Sequence, residues 1–411
     1  MTRTLLALGL GLMAVLAIDQ AVALLLPPPP PLEGRPWYLR TVQYHPILGW
    51  SGYPNLVETN DGIRIQTNSL GYRDREPVEE DDPHKLRVLF LGDSFTWGDE
   101  VRQEERFSSL LESSCGGYCD RLPPIHAINK GIIGYGTAQS FLQYLLTREE
   151  HAYDLVILGL FAGNDLRDNA VVDSPSGPRP RLIPCEREGR GEGLWLEGMP
   201  VPPVVDWPEH RWVNARGQVA RRFGWSGLIA LASRRRAPRF LNERRIEDQM
   251  QEAQDAVPYP VVKRTSDDEI QDRIGQLASI LDALNRTIRG DGKAFGVLLF
   301  PSGLMHAGES RTDAVQNRDR AAGLMNPTQL AEARRLAREL GEYPEIVDVL
   351  DRLDVPFADY YARTRDVAWE DLFYGVNGHW RPAGHQTAAS LLRPLVASLH
   401  AELEPDRSTV R

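Results

Sequence analysis

The stretch Leu86-Arg87-Val88-Leu89-Phe90-Leu91-Gly92-Asp93-Ser94-Phe95-Thr96-Trp97-Gly98 decides the fold. Its first half is a short, almost continuous apolar run that stops at a glycine. That is the pattern of a strand buried on both faces inside a parallel sheet. Its second half reads as a sharp turn into a helix, with Ser94 on the turn at the top of the sheet. Asp93-Ser94 is also a common helix-capping pair, so the stretch alone leaves both a structural and a chemical reading open.

Working outward, the same pattern recurs. Ile125 to Ile128, Leu155 to Leu160, Phe295 to Phe300 and Val355 to Asp359 read as further strands. Pro356 cannot donate to a ladder, which suggests an edge position for the last of these. Between them lie residues at helical spacing: Phe107, Leu110 and Leu111; Phe141, Leu142, Leu145 and Leu146; Ile270, Ile274, Leu277, Leu281, Leu284 and Ile288, closed by Gly290. Asn326-Pro327 opens another helix through Leu330, Leu336 and Leu340, ending at Gly341. A last helix begins near Pro382 and carries Leu391, Leu392, Leu395 and Leu399. Strands alternating with helices predict an α/β fold with a parallel sheet of about five strands and helices on both faces. In such sheets ligands gather beyond the carboxyl ends of the strands.

The segments after those strand ends carry polar residues suited to chemistry. Ser94 follows the first strand, with Asp93 ordering its loop. Gly131-Ile132-Ile133-Gly134-Tyr135-Gly136 follows the second, and Gly134 would let the backbone approach a substrate and offer an N–H. Gly163-Asn164-Asp165 follows the third, where the Asn164 side chain could donate to an oxyanion and Asp165 could order the turn. His379, in Asn377-Gly378-His379-Trp380-Arg381-Pro382, precedes the last helix, where it could face Ser94 as general base. His385, inside that helix, reads as structural.

Taken singly these are modest signals. In this order on one α/β sheet, Ser94, Gly134, Asn164 and His379 resemble the four blocks of the SGNH (GDSL-like) hydrolase family. The resemblance runs from Leu86 to about Leu399, interrupted by an insertion. The stretch from Gly49 through Asn68-Ser69-Leu70-Gly71-Tyr72-Arg73 is similar to the lead-in of membrane-associated bacterial members. The resemblance implies a flavodoxin-like three-layer α/β/α sandwich and an acyl-enzyme on Ser94. It implies an oxyanion hole from the N–H groups of Ser94 and Gly134 and the side chain of Asn164, and neither metal nor organic cofactor. The chain departs from the family in one place. The family usually carries an Asp two or three residues before the histidine, where this chain has Asn377 and Val376. Asn377 as a neutral substitute, Asp371 as an alternative acid, or a dyad completed by a backbone carbonyl are the expectations. An Asp→Asn change in a related triad loses about 10⁴ in rate.

Composition bounds the rest. A chain of 411 residues can bury a sizeable core and still carry insertions. The net charge of −10 argues against a general nucleic-acid partner. Three cysteines are too few for a disulfide scaffold; Cys115 and Cys119 could pair locally. Residues 1–26 read as a signal peptide or membrane anchor: Arg3 precedes apolar runs Leu5 to Ile18 and Ala21 to Leu26, with Ala21-Val22-Ala23 resembling a cleavage site. Either reading places the body outside the cytoplasm, anchored to the inner membrane or secreted to the periplasm. Residues 27–34 are a Pro-rich spacer and 35–85 an extension of short strands and turns. Residues 86–166 and 267–403 form the catalytic domain. Residues 167–266 are an insertion or lid rich in Pro, Arg and Trp, including Trp195, Trp207, Trp212 and Trp225. The implied partner is an ester-bearing small molecule, lipid or glycan. The functional readings are a serine ester hydrolase, an O-acetyltransferase or deacetylase of an exported polysaccharide, and a non-catalytic carbohydrate- or lipid-binding module on the same fold.

Overall fold

The computed structural model describes residues 40–77, 84–114, 122–150, 152–170, 173–174, 177–187, 191–197, 273–303, 306, 343–374 and 378–403. The apolar runs become five strands: β5 (Leu86–Leu91), β6 (Ile125–Asn129), β7 (Leu155–Phe161), β12 (Ala294–Phe300) and β13 (Phe357–Asp359). They form one sheet in the order β13-β12-β7-β5-β6, and each neighbouring pair is parallel. Numbered along the sheet's own chain order this is 2-1-3-4-5, the doubly wound flavodoxin-like arrangement. The expected fold class holds, and Pro356 adjoins the edge strand β13 as its missing N–H requires.

The pleat sends alternate residues of each strand to opposite faces. Leu89 and Leu91 of β5 enter one core with Val156, Leu158, Val297 and Leu299. Val88 and Phe90 enter the other with Leu155, Ile157, Leu298 and Phe300. The first face is covered by helices Thr137–Thr147, Arg273–Gly290 and Tyr343–Arg352, the second by Phe107–Ser114 and Pro382–Leu403. Both faces are therefore dry, which is why the strands read as continuous apolar runs rather than as alternation.

Two hairpins precede the sheet: β1 (Val42–His45) with β2 (Gly49–Gly52), and β3 (Val57–Asn60) with β4 (Ile63–Gln66). They pack onto the domain. Ile47, Leu48, Trp50 and Tyr72 belong to the same core as Phe141 and Leu142. Trp50 Nε1 donates to Ile133 O at 2.9 Å, and Tyr135 OH donates to Trp50 O at 2.6 Å. The Asn68–Arg73 stretch folds around Asn68, whose Oδ1 accepts from the N–H groups of Leu70 and Tyr72, both at 3.0 Å. That is the Asx-type turn asparagine favours. Gly71, at φ +92, lies so close to Gly52 that an added Cβ would sit 2.3 Å from its carbonyl oxygen.

Part of the region expected to lack a readable pattern is ordered. After β8 (Asp173–Ser174) and β9 (Gly177–Pro178), β10 (Arg181–Arg187) and β11 (Gly191–Glu197) form a second, longer antiparallel hairpin. Leu182, Leu194 and Leu196 bury themselves in the first core. Gln276 Nε2 ties this hairpin to the domain by donating to Leu182 O at 2.8 Å. The apolar N-terminus, the proline spacer, Cys115 and Cys119, the helix expected after Asn326-Pro327, and Trp207, Trp212 and Trp225 lie outside the described residues. Among the described residues no helix is long and apolar enough to cross a membrane.

Candidate active site

In a 2-1-3-4-5 sheet the chain reverses direction of winding between strands 1 and 3, here β5 and β7. Ser94 follows β5 and Asn164 follows β7, so the two flank that crevice. Helix Ser94–Trp97 starts directly after Asp93, whose Oδ1 accepts from Phe95 N at 2.9 Å and caps the helix. Gly92 makes the turn possible: its φ is +146, and a Cβ there would meet Thr96 Oγ1 at 2.4 Å. Asp165 orders the neighbouring loop, its Oδ2 accepting from Phe161 N at 2.9 Å. Both aspartates were expected to order loops, and both carboxyls are raised by burial, Asp93 to about 7 and Asp165 well above the usual carboxylate range.

Gly134 sits in the loop after β6 at φ +76, a conformation that favours glycine. The flanking Ile133 and Tyr135 are the residues that Trp50 grips from the N-terminal hairpin. Asn164 N donates to Phe161 O at 3.3 Å, and its side-chain Oδ1 is buried without a hydrogen-bond partner among the described residues.

The structure brings His379 to Ser94: Nε2 lies 2.7 Å from Oγ. An isolated bridge between Phe373 and Trp380 fixes the backbone of the histidine loop, and Tyr374 N donates to His379 O at 2.9 Å. Trp380 is fully buried among Phe95, Phe300 and Tyr360, with ring centroids at 5.0, 4.7 and 4.6 Å. Phe95, one residue past the serine, also packs 5.0 Å from the His379 ring. An aromatic cluster thus couples the two reactive side chains across 285 residues of sequence.

The other ring nitrogen corrects the expectation of a missing acid. His379 Nδ1 faces Asp99 Oδ2 at 3.4 Å and Glu100 Oε2 at 3.7 Å. Asp371 does not take that place. It is exposed on the short helix Trp369–Leu372. Asn377 lies outside the described residues. With carboxylates at Nδ1 and a hydroxyl at Nε2, the tautomer that satisfies both sides carries its proton on Nδ1 and leaves Nε2 free to accept. Burial opposes the imidazolium, but Asp99 and then Glu100 outweigh it, and His379 is raised above the ordinary histidine range. The neighbouring His379 ring holds Glu100 below the usual carboxylate range, whereas burial raises Asp99.

His385 behaves as its structural reading required. It is buried, its Nδ1 accepts from Phe107 N at 3.2 Å, and burial pushes it down to about 3. Neither Asp99 nor Glu100 was among the sequence candidates. The signal available was their place in Gly98-Asp99-Glu100, directly after the serine's helix, where a carboxylate must lie near anything that approaches Ser94. No group of three or more possible metal ligands occurs among the described residues.

No family model matches the chain, and no curated protein does. Solved structures do show likeness. A member of the lipolytic protein G-D-S-L family from Veillonella parvula is 10% identical, with TM-score 0.32, over 76% of this chain and 98% of that one. Axe2, an acetylxylan esterase from Geobacillus stearothermophilus, is 12% identical, with TM-score 0.35, over 76% and 94%. TesA is 12% identical, with TM-score 0.34, over 76% and 99%. The chain is similar to G-D-S-L lipolytic proteins and esterases.

Proposed function

We propose that this protein is a serine-dependent ester hydrolase whose nucleophile is Ser94. The observation that carries the reading is the 2.7 Å contact between His379 Nε2 and Ser94 Oγ, with carboxylates at the opposite ring nitrogen. A serine hydroxyl is a weak nucleophile until a neighbouring base takes its proton. Here His379 Nε2 accepts that proton as Oγ attacks the ester carbonyl carbon. The imidazolium so formed is stabilised by Asp99 and Glu100. The carbonyl oxygen gains negative charge, and the N–H groups of Ser94 and Gly134 with the Asn164 side chain are the donors assigned to it. Collapse breaks the ester C–O bond, and His379 returns the proton to the departing alkoxide. Water then attacks acyl-Ser94 with His379 again as base, releasing the acid and restoring the serine.

The substrate class is an ester-bearing small molecule, lipid or glycan. A setting outside the cytoplasm, with the N-terminal segment as anchor or signal, belongs to the same proposal and rests on the apolar run of residues 4–26. The test is reaction of the full chain with a fluorophosphonate probe and turnover of p-nitrophenyl acetate and longer esters, against Ser94→Ala. Labelling and turnover that both vanish in the variant establish the acyl-enzyme. The chain-length profile then separates acetyl from fatty acyl substrates, and added acceptor sugar separates hydrolysis from transfer. An unlabelled wild-type protein would overturn the reading in favour of a binding module.

A further inference from the structure

The residues around His379 do not follow the usual placement of the acid, and the way they are held points to a specific role. Asp99 and Glu100 form a tight turn directly after the serine's helix. Gly98 ends that helix at φ +80, and Glu100 follows at φ +63, a left-handed conformation that residues with a Cβ seldom adopt. Such positions persist where the surroundings impose them, and they concentrate at functional sites. Asp99 Oδ1 accepts from Glu100 N at 2.8 Å, which locks the turn and leaves Oδ2 toward the histidine. Glu100 Oε2 is buried and takes no hydrogen bond from other described groups, so its neighbour is the imidazole.

The turn is held from outside the sheet. Arg73, on the Asn68 turn of the N-terminal extension, donates through one guanidinium nitrogen to Gly98 O and through the other to Val101 O at 2.7 Å. These two carbonyls bracket Asp99 and Glu100. Arg73 is 1% exposed, and its own carbonyl accepts from the buried Arg106. Asp74, the next residue, accepts from Asn129 N at 2.7 Å at the end of β6 and lies 3.6 Å from Arg106. A bidentate arginine anchored in this way fixes a loop in position and orientation.

We propose that the Asp99–Glu100 turn is the positioning element of the catalytic histidine, supplying from the nucleophile's own loop the negative charge that an acid beside His379 would supply. The inference rests on the esterase reading. The groups facing the imidazole are Ser94 on Nε2, Asp99 and Glu100 on Nδ1, and the Phe95 ring on its flank. Asp93 lies close enough to add its charge.

The experiment measures kcat and KM for p-nitrophenyl acetate across pH for the wild type, Asp99→Asn, Glu100→Gln and the double variant. Fluorophosphonate labelling of Ser94 is followed in parallel. Removing an anion beside a histidine makes its protonation harder, so the rising limb of kcat/KM should move to lower pH. The expected displacement is about one unit for the double variant, with kcat falling about 100-fold or more while KM changes little. Asn and Gln keep size and polarity, so folding is checked by melting temperature alone. Wild-type labelling with an unmoved limb and unchanged kcat in the double variant would overturn the proposal while leaving the esterase reading intact. Absent wild-type labelling would overturn the reading itself.

Discussion

Asp93→Asn isolates the electrostatic consequence of a buried carboxyl beneath the nucleophile. Asp93 is 1% exposed. Its Oδ1 is satisfied by Phe95 N, but Oδ2 is buried without a partner among the described residues. Burial pushes the carboxyl up to about 7, against the Phe95 hydrogen bond and the attraction of His379. In the unfolded chain the same group titrates near ~3.9. The folded state therefore binds its proton more tightly, and that stability is fully present below ~3.9 and lost as pH rises to about 7. Each pH unit inside this window is worth up to about 1.4 kcal/mol, so raising pH from about 5 to about 7 removes roughly 2–3 kcal/mol. In a domain of this size 1 kcal/mol moves Tm by about 2 °C, giving roughly 4–6 °C. Asparagine keeps the helix cap and cannot ionise. Calorimetry at those two pH values should show the wild-type Tm falling by roughly 4–6 °C relative to the variant. Buried His45 and His385, pushed down to about 4 and about 3, act in the opposite sense below ~6.5, but they are common to both proteins and cancel in the difference. Parallel Tm profiles for the two proteins would refute the argument.

Because its carboxylate neighbours raise His379, and the base must be neutral to act, the rising limb of wild-type kcat/KM should lie above ~6.5; a pH–rate profile checks this. Trp50→Phe removes the donor to Ile133 O and should cost about 1–2 kcal/mol in denaturant unfolding, while lowering ester turnover through the loop that carries Gly134. Asp371→Asn should leave turnover within about twofold of wild type, since an exposed side chain away from the imidazole adds little to the field there.

The sheet was legible because both its faces are buried. When a strand's two faces are dry, its sequence becomes a solid apolar run, and Leu86–Leu91, Leu155–Phe161 and Ala294–Phe300 announce themselves. The hairpin of residues 181–197 was not legible for the converse reason. Leu182, Leu194 and Leu196 join the first core and Ile183 beside them is buried too, while Pro184 opposite Leu194 and the glycines Gly191 and Gly193 interrupt any regular alternation in the sequence. Ser94 and His379 were readable as candidates because each sits in a loop whose position relative to the sheet follows from the order of elements. Their pairing was expected for the same reason; what the sequence did not show is how Phe95, Phe300 and Trp380 meet behind them and hold it.

The acid shows where reading along the chain stops. A motif scan looks for the acid beside the histidine because in many folds one loop delivers both. Nothing in the chemistry requires this. Nδ1 needs negative charge within a few ångströms, and the chain can bring it there on any loop the topology places at the same sheet edge. Here the loop after β5 does so, because helix Ser94–Trp97 lasts only one turn before Gly98 reverses the chain. A longer helix would carry residues 99 and 100 away from the crevice. The reversal in turn depends on Arg73, which reaches the carbonyls of Gly98 and Val101 from a turn lying before the sheet in sequence. The extension ahead of Leu86 therefore reaches the active site: Trp50 grips the loop of Gly134, and Arg73 grips the turn that faces His379. Arg73→Lys, which keeps the charge but loses the fork, should for that reason lower turnover and Tm together, as a change in a remote appendage would not.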